Sequence, residues 1–300
     1  MATQVQKTGN WGRWGQDDER GALNLIDAAK VRDAAHSVKT GKVYQLALPI
    51  QRSGIPLAEH RGTPQRLTLT NHEDEWMAQG FGGAPGVGFN EDIFIFAAHT
   101  STHMDALGHV YSENKLYNGY PNDQASPFQG AARCSIDKIG SVAGRGVLID
   151  VAGSKGVSVI DSGYAITGDD LATALAEQDV ELRVGDIVLI RTGWVEEFLR
   201  QPNLDIVSNP GIGMDGAQFL IDHDVALVGS DNLALEVMPF DKGKFLGVHV
   251  MLLVEHGIHL IENMNLEELS ADRCYEFLFS VAPLKVTGAT GSPVSPFAIG

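Results

Sequence analysis

The fold of this chain is decided by one stretch, Ile93-Phe-Ile-Phe-Ala-Ala-His99-Thr-Ser-Thr-His103-Met-Asp105-Ala-Leu-Gly-His109, in which an apolar run leads into four polar side chains. All four occupy odd positions, so an extended backbone would project them to one face, whereas a helix would scatter them. Ten extended residues would cover about 33 Å, far more than metal–ligand bonds of about 2 Å allow. We therefore predict a strand followed by a turn near Gly108 that curls around an ion.

Apolar runs elsewhere in the chain predict a sheet-based core. The predicted buried strands are Val43–Ile50, Ile93–Ala98, Gly146–Val151, Asp186–Thr192, Val225–Gly229 and Phe277–Pro283. The predicted helices are Leu171–Gln178, capped by Asp169 and Asp170, Trp194–Arg200, and Gly216–Asp222, opened by Asp215. Strands alternating with helices indicate the mixed α/β class, with a mixed β core.

Composition excludes several classes of function. The chain has 300 residues, 44% of them hydrophobic, and a formal net charge of -16, which disfavours nucleic-acid binding. No apolar run approaches the roughly 18 residues of a membrane-spanning helix, so we expect a cytoplasmic protein without a membrane partner. The two cysteines, Cys134 and Cys274, lie far apart and indicate neither a disulfide framework nor a Cys-rich zinc site.

The polar side chains of the deciding stretch indicate a catalytic metal site. Imidazole nitrogen with carboxylate oxygen suits Zn²⁺ or Mn²⁺, and the lack of Cys ligands favours an ion with an open water position. Such an ion lowers the pKa of bound water to about 7 and polarises a carbonyl, which permits hydrolysis without a protein nucleophile. Three histidines and an aspartate within eleven residues make ordinary core or surface histidines the weaker interpretation.

The stretch resembles the signature His-x-Gly-Thr-His-x-Asp-x-Pro-x-His of the metal-dependent cyclase and kynurenine formamidase-like hydrolases, a family that includes isatin hydrolase. Ser101 stands where the signature has Gly, and Leu107 where it has Pro. Longer members of the family also open with a Trp-Gly-rich segment like Asn10-Trp-Gly-Arg-Trp14. The resemblance implies a swivelling β/β/α fold in one domain, residues 1–300, and assembly into a homodimer or homotetramer.

The same resemblance implies the remaining site residues. The family carries a His and, about a dozen residues later, a Glu, and His249 and Glu262 stand in that relation here. The residues agree, because Ile258–Glu262 alternates like a strand on which the Glu262 carboxylate shares a face with apolar residues, and a buried carboxylate needs a partner. His256 and His259 are interpreted as structural.

The roles implied by the resemblance leave one ion or two open. His99, His103 and Asp105 would bind the first ion. Asp105 or Glu262 would bridge to a second ion held by His109 and His249. With one ion only, His109 is free to act as general base toward water and then as acid toward the leaving nitrogen.

The expected reaction is hydrolysis of a C–N bond in a small cyclic amide or aryl formamide, similar to isatin or N-formylkynurenine, by water activated at the metal. The alternatives are a lactone hydrolase or cyclase on the same site and a non-catalytic metal- or ligand-binding relative. Candidates to line a substrate pocket are Trp76, Phe81, Phe89 and Trp194, each of which could equally belong to the core. The Gly-rich segment Ala78–Asn90 predicts a surface loop or a mobile lid.

Two motif matches are rejected. Gly211-Ile-Gly213-Met-Asp-Gly216, with Glu236 beyond it, matches a dinucleotide fingerprint, but Val207–Pro210 before it is a turn and not a strand end. A glycine-rich turn before the Asp215 helix is the better interpretation. Ser154 lies in Ala152–Gly156, which lacks the first Gly of a serine-hydrolase elbow. Residues 1–40 are expected to form an arm that packs on the body or on a partner subunit.

Overall fold

The computed structural model describes residues 9–201 and 204–300. Its strands are β1 (Val43–Gln45), β2 (Gln65–Thr70), β3 (Glu91–Ile95), β4 (His103–Asp105), β5 (Ala125–Ser126), β6 (Gly130–Ala131), β7 (Val142–Asp150), β8 (Ala165–Ile166), β9 (Ile187–Arg191), β10 (Gly211–Ile212), β11 (Leu227–Ser230), β12 (His259–Glu262), β13 (Glu276–Val281), β14 (Gly291–Pro293) and β15 (Phe297–Ile299). Its α-helices are α1 (Ala28–Ala34), α2 (Glu75–Gly80), α3 (Val151–Ser154), α4 (Gly168–Glu177), α5 (Trp194–Arg200), α6 (Met214–Asp222), α7 (Gly247–His249) and α8 (Glu267–Ala271), and α7 continues into a π-helical segment, Val250–Glu255.

A nine-stranded mixed sheet forms the core, in the order β1-β15-β13-β7-β9-β11-β12-β4-β14. The four strands β7, β9, β11 and β12 run parallel, and antiparallel strands complete both sides. The parallel strands β9, β11 and β12 are buried throughout, and β7 is buried except at Ala143, as their continuous apolar runs predict for a sheet covered on both faces. The expected mixed α/β single domain with a mixed sheet is confirmed.

The three predicted helices exist, two of them with shifted starts. α4 begins at Gly168 because Thr167, and not the Asp pair, is its N-cap, with Asp170 completing a capping box. α5 spans the predicted residues, and α6 begins at Met214. Among residues 9–201 and 204–300, no helix is long and apolar enough to cross a membrane. The cytoplasmic location stays a prediction.

One strand predicted to be buried is exposed in the structure. The run Ile93–Ala98 gives β3, but all five residues of β3 are exposed. β3 pairs only with β2 in a separate two-stranded sheet, which we call the β2–β3 ribbon. An apolar run shows that side chains avoid water, but it does not show whether the same chain covers them.

The glycines of the rejected dinucleotide motif serve close packing. Gly211 lies in the short strand β10, against the backbone of Glu236, where an added Cβ would come within 2.4 Å of the Glu236 carbonyl carbon. Gly216 lies equally tightly against Ile166, at 2.6 Å from its carbonyl oxygen. The motif therefore packs β10 and α6 against neighbouring backbone, although its first residues form a strand and not the turn that the sequence predicted.

The described part of the amino-terminal arm contacts the body. Trp11 Nε1 donates to the carbonyl oxygen of Val254 at 2.7 Å, and Asn10 N donates to that of Glu255 at 2.9 Å. Residues 1–8 of the predicted arm lie outside the described residues. These contacts tie residues 10–11 to the π-helical segment that follows α7.

Candidate metal centre

Two neighbouring strands carry three of the predicted site residues. β4 holds His103 and Asp105, and β12 ends at Glu262. The antiparallel register places Glu262 directly opposite His103, and side chains paired in this way lie on the same face of a sheet. Backbone pairing therefore fixes two carboxylates and one imidazole beside each other.

The turn before β4 orients His103. Ser101 has a φ of 56°, in the left-handed region, and its carbonyl oxygen accepts a hydrogen bond from His103 Nδ1 at 2.9 Å. Thr102 Oγ1 accepts from Leu48 N at 2.8 Å and donates to the carbonyl oxygen of Asn263. Both residues serve the turn, and the bond to Nδ1 leaves His103 Nε2 facing the centre.

Asp105 lies in the middle of the cluster and is 1% exposed. Its Oδ1 is 2.7 Å from His99 Nδ1 and 3.7 Å from His103 Nε2. Its Oδ2 is 3.8 Å from His249 Nε2 and 4.0 Å from His109 Nε2. The structure therefore brings all four predicted imidazoles within 4.0 Å of one carboxylate.

His249 reaches the cluster from the end of α7, and a second carboxylate orients it. His249 Nε2 lies 3.3 Å from Glu262 Oε1, while Nδ1 donates to Glu236 Oε1. Glu236 is 1% exposed and also accepts from Val248 N at 3.2 Å. A buried carboxylate on the far nitrogen of a histidine is the usual partner of a metal-ligating imidazole, because it fixes the tautomer and the ring orientation.

Burial and mutual charge set the protonation of the cluster. Burial opposes ionisation of Asp105, but the surrounding imidazoles hold its pKa well below the ordinary value. Burial and Asp105 likewise oppose ionisation of Glu262, yet His103 and His249 lower its pKa to about 2. Burial lowers the pKa of His249, and the stronger combined effect of Glu236 and Glu262 raises it to about 10. The carboxylates are ionised at neutral pH, and a positive charge is needed between them.

Unsatisfied buried atoms show that the residues fit a divalent ion. His103 Nε2 and Asp105 Oδ2 are buried without a hydrogen-bond partner among the described residues, although His103 Nε2 lies 3.1 Å from Glu262 Oε2. Two triads have ligand atoms within 4.8 Å of one another, and Asp105 belongs to both. The triads are His99, His103 and Asp105, and Asp105, His249 and Glu262. A cation shared by such atoms would satisfy them, since buried polar groups otherwise cost free energy.

His109 differs from the other site residues in access. Its side chain is 24% exposed, against 10% for His99 and 0% for His103. Its ring stacks on that of His99 with centroids 3.9 Å apart, and it belongs to neither triad. Burial lowers the pKa of His109 to about 4, more than Asp105 raises it, so the imidazole is neutral at neutral pH. It is the site histidine best placed to exchange a proton with solvent.

Comparison with known proteins places this chain in a family. A family model named Cyclase matches residues 44–237, which is more than half of the chain. The chain belongs to the cyclase family. A cyclase-like protein 3 from Oryza sativa subsp. japonica is 30% identical over 279 residues, covering 87% of this chain and 90% of that protein. A kynurenine formamidase from Bacillus cereus is 37% identical over 110 residues, 36% of this chain and 46% of that enzyme.

Solved structures of the cyclase family share the fold. A crystal structure described as a novel cyclase superposes with a TM-score of 0.87 at 36% identity and covers 98% of both chains. Isatin hydrolase A from Labrenzia aggregata, bound to benzyl benzoate, gives a TM-score of 0.62 at 19% identity, with 88% of this chain and 94% of that chain covered. The second likeness supports the fold alone.

The two departures from the family signature have different physical contexts. Ser101 takes the left-handed conformation that glycine, the residue of the signature, adopts without strain. Its hydroxyl donates to the carbonyl oxygen of Pro49 at 3.0 Å and so anchors the turn. Leu107 replaces the proline of the signature and is fully buried in the apolar core.

The predicted pocket residues fall into two groups. Trp76, Phe81 and Phe89 lie on the segment joining β2 to β3 and are 67%, 82% and 41% exposed. Trp194 is 1% exposed and packs on Phe198 in an apolar cluster, which is the core alternative left open for it. The three exposed aromatic side chains remain candidates for contact with a ligand.

Two contacts of the site have no counterpart in the sequence predictions. Glu236 figures there only in the rejected dinucleotide motif, and its link to His249 depends on the tertiary fold. Gly291 lies on β14 directly against the His99 ring, where an added Cβ would be 2.4 Å from Cε1. The sequence carries no local signal for either contact.

The two histidines interpreted as structural lie apart from the triads. His256 Nδ1 donates to the carbonyl oxygen of Met251 at 2.8 Å. His259 is fully buried, and neither ring nitrogen has a hydrogen-bond partner among the residues described. Burial lowers the pKa of His259 to about 3, which keeps the ring neutral.

Proposed function

We propose that this cyclase-family protein is a metal-dependent hydrolase that cleaves a C–N bond in a small cyclic amide or aryl formamide, with water as the nucleophile. The observation that carries the proposal is the pair of triads around Asp105, with two buried ligand atoms left unsatisfied. The similarity to a kynurenine formamidase favours a small amide substrate.

The donor set suits one or two ions of Zn²⁺ or Mn²⁺, because imidazole nitrogen and carboxylate oxygen serve both metals. A bound ion would polarise the substrate carbonyl and make water nucleophilic at neutral pH. His99, His103 and Asp105 would hold one ion, and Asp105, His249 and Glu262 a second. Asp105, shared by both triads, keeps the two groups at a fixed separation.

His109 is proposed to move the proton. The His109 ring is neutral at neutral pH, and its side chain is 24% exposed. Its Nε2 can therefore accept a proton from water and return it to the leaving nitrogen. Glu262, the second candidate for a catalytic role, is ionised at neutral pH because His103 and His249 lower its pKa to about 2. Its carboxylate orients His103 and His249 from β12 and would also serve as a ligand.

We also propose that the chain acts as a homodimer or homotetramer through the β2–β3 ribbon. Leu67, Ile93 and Ile95 of the ribbon are 42%, 40% and 53% exposed, and Phe94 is 62% exposed. A two-stranded ribbon that buries neither face is marginally stable in water. A second copy of the chain would cover these side chains and lie against Trp76 and Phe81 of the connecting segment.

The deciding experiment measures metal content per chain by elemental analysis, before and after chelation. Hydrolysis of N-formylkynurenine and of isatin is followed on the same samples. We expect about one or two ions per chain and chelator-sensitive turnover of at least one amide that adding Zn²⁺ or Mn²⁺ restores. Protein without bound ion or metal-restored activity would overturn the proposal.

A further inference from the structure

An arginine outside both triads binds the backbone of His99, one of the candidate ligands. Arg61 ends a short 3₁₀ turn, Glu59–Arg61, in the connection between β1 and β2. It is partly buried, and its Nη1 donates to the backbone carbonyl oxygen of His99 at 2.8 Å. The guanidinium is therefore held beside the residue that contacts Asp105.

The hydrogen-bonding capacity of Arg61 is largely unused. A guanidinium has five N–H donors, and one of them is spent on His99. In residues 9–201 and 204–300 no carboxylate lies within 4.0 Å of it. The buried arginines of the sheet behave differently, since Arg145 and Arg191 each bind two carboxylates, the latter those of Asp150 and Glu267. Arg61 is thus a partly buried cation without an anionic partner in the part of the chain that the structure describes.

This chain has a net charge of -16, so its overall field repels anions. A local cation with free N–H groups is what an anionic ligand would need in order to bind beside the metal.

We propose that Arg61 binds a carboxylate carried by the substrate and so selects anionic amides. The inference rests on the proposed hydrolase function and specifies its substrate class as aryl formamides or cyclic amides that bear a carboxylate. Guanidinium and carboxylate match in a bidentate geometry, which gives orientation as well as affinity. The bond to His99 fixes the guanidinium relative to the ligands, so the bound carboxylate would set the position of the scissile bond.

The test compares two substrates that differ in one group, N-formylanthranilate and formanilide. Values of kcat and KM are measured for both with the metal-loaded wild-type protein and with Arg61→Gln and Arg61→Lys. In Arg61→Gln we expect the kcat/KM ratio of the anionic to the neutral substrate to fall roughly 10- to 100-fold, mainly through KM. Arg61→Lys should retain part of the preference, since it keeps the charge and loses the paired geometry.

Arg200→Gln is the matched control. It removes the same charge from α5, where the 60% exposed Arg200 pairs with Glu196, so it should leave the substrate ratio unchanged. An equal loss on both substrates in Arg61→Gln would mean that Arg61 only supports His99, and it would overturn the proposal. An unchanged ratio would overturn it as well. If Arg61→Gln does not fold, Arg61→Lys decides: a partial fall in the substrate ratio supports the proposal, and an unchanged ratio or an equal loss on both substrates overturns it.

A binding measurement separates this inference from the proposed function. Calorimetry records the affinity of N-formylanthranilate for wild type and Arg61→Gln, with and without metal. Binding that depends on Arg61 in a protein that turns over neither amide would sink the hydrolase proposal and leave the carboxylate site standing. Turnover of formanilide by a protein that neither prefers nor binds the anionic amide would support the hydrolase proposal and overturn the carboxylate site at Arg61.

Discussion

The metal centre and the β2–β3 ribbon place their side chains against the usual rule that polar residues are exposed and apolar residues are buried. The polar side chains at the centre are buried, and Asp105 and Glu262 contact partners from the same chain. The apolar side chains of the ribbon, such as Phe94, are exposed on both faces. All candidate ligands of the centre come from one chain, whereas the ribbon leaves apolar side chains uncovered in the single chain described. The centre can therefore be tested on a single chain, and the ribbon through the assembly proposed for the protein.

The largest loss of activity should follow from removing a candidate ligand from the metal centre. His103→Ala deletes an imidazole that contacts both Asp105 and Glu262, so we expect loss of bound metal and a roughly 100- to 1,000-fold fall in kcat/KM. Asp105→Ala should do the same. Elemental analysis and turnover on the same preparations measure both effects. His36→Ala, at a side chain 84% exposed, is the control, and a His103→Ala variant with full metal content would contradict the assigned site.

A substitution in the β2–β3 ribbon should change only the proposed assembly of the protein. Ile93→Glu places a charge where the ribbon would be covered, and we expect the dissociation constant of the oligomer to rise at least about 100-fold. Light scattering across a concentration series measures it, with Val184→Glu, at a 48% exposed position, as the control. A wild-type protein that stays monomeric at every concentration would remove the role proposed for the ribbon.

The sequence predicts what depends on local pattern. Five of the six apolar runs locate strands of the sheet, and the sixth gives β3 of the ribbon. The odd spacing from His99 to His109 places the side chains of these residues in one cluster. Ser101 shows why the chain can curl there, because its left-handed φ reverses the backbone before β4. Gly108, which the sequence favoured as the turning point, instead approaches the backbone of Cys134, where an added Cβ would lie 2.9 Å from the carbonyl oxygen.

What the sequence leaves out depends on contacts between distant segments. Glu236 contacts His249, and Gly291 contacts the His99 ring. Both contacts join segments that are distant in the sequence and depend on the tertiary fold. The exposure of β3 likewise depends on which surface is available to cover it. Neither local propensity nor periodicity encodes these outcomes, because both describe neighbours along the chain.

A smaller effect should follow from the carboxylate behind His249. Glu236→Gln keeps the size of the side chain but removes the charge that fixes the His249 tautomer, so metal affinity should weaken roughly 10- to 100-fold. Chelator competition measures the affinity, and Glu177→Gln, an exposed change of the same type, should leave it unaltered. An unchanged affinity in Glu236→Gln would show that the β12 pairing alone orients the centre.

The smallest effect is the pH dependence that this arrangement imposes. Glu236 and Glu262 raise the pKa of His249 to about 10, against the loss caused by burial, so the metal-free ring is protonated at neutral pH. A raised pKa stabilises the metal-free fold fully below the ordinary value of about 6.5, and this stabilisation is lost as the pH rises toward 10. Metal must displace that proton, so affinity should strengthen with pH, by about tenfold per unit for one proton released.

Competition titrations with Mn²⁺ between about pH 7 and 8.5, against a chelator of known protonation, measure this slope. In Glu236→Gln the pKa of His249 falls because one of the two carboxylate partners is lost, so the slope should flatten over the same range. A wild-type affinity independent of pH would mean that His249 is already neutral before the ion arrives. A neutral His249 would leave the buried carboxylates of Glu236 and Glu262 without the positive charge that its proton supplies. Another group would then have to balance their negative charge in the metal-free protein.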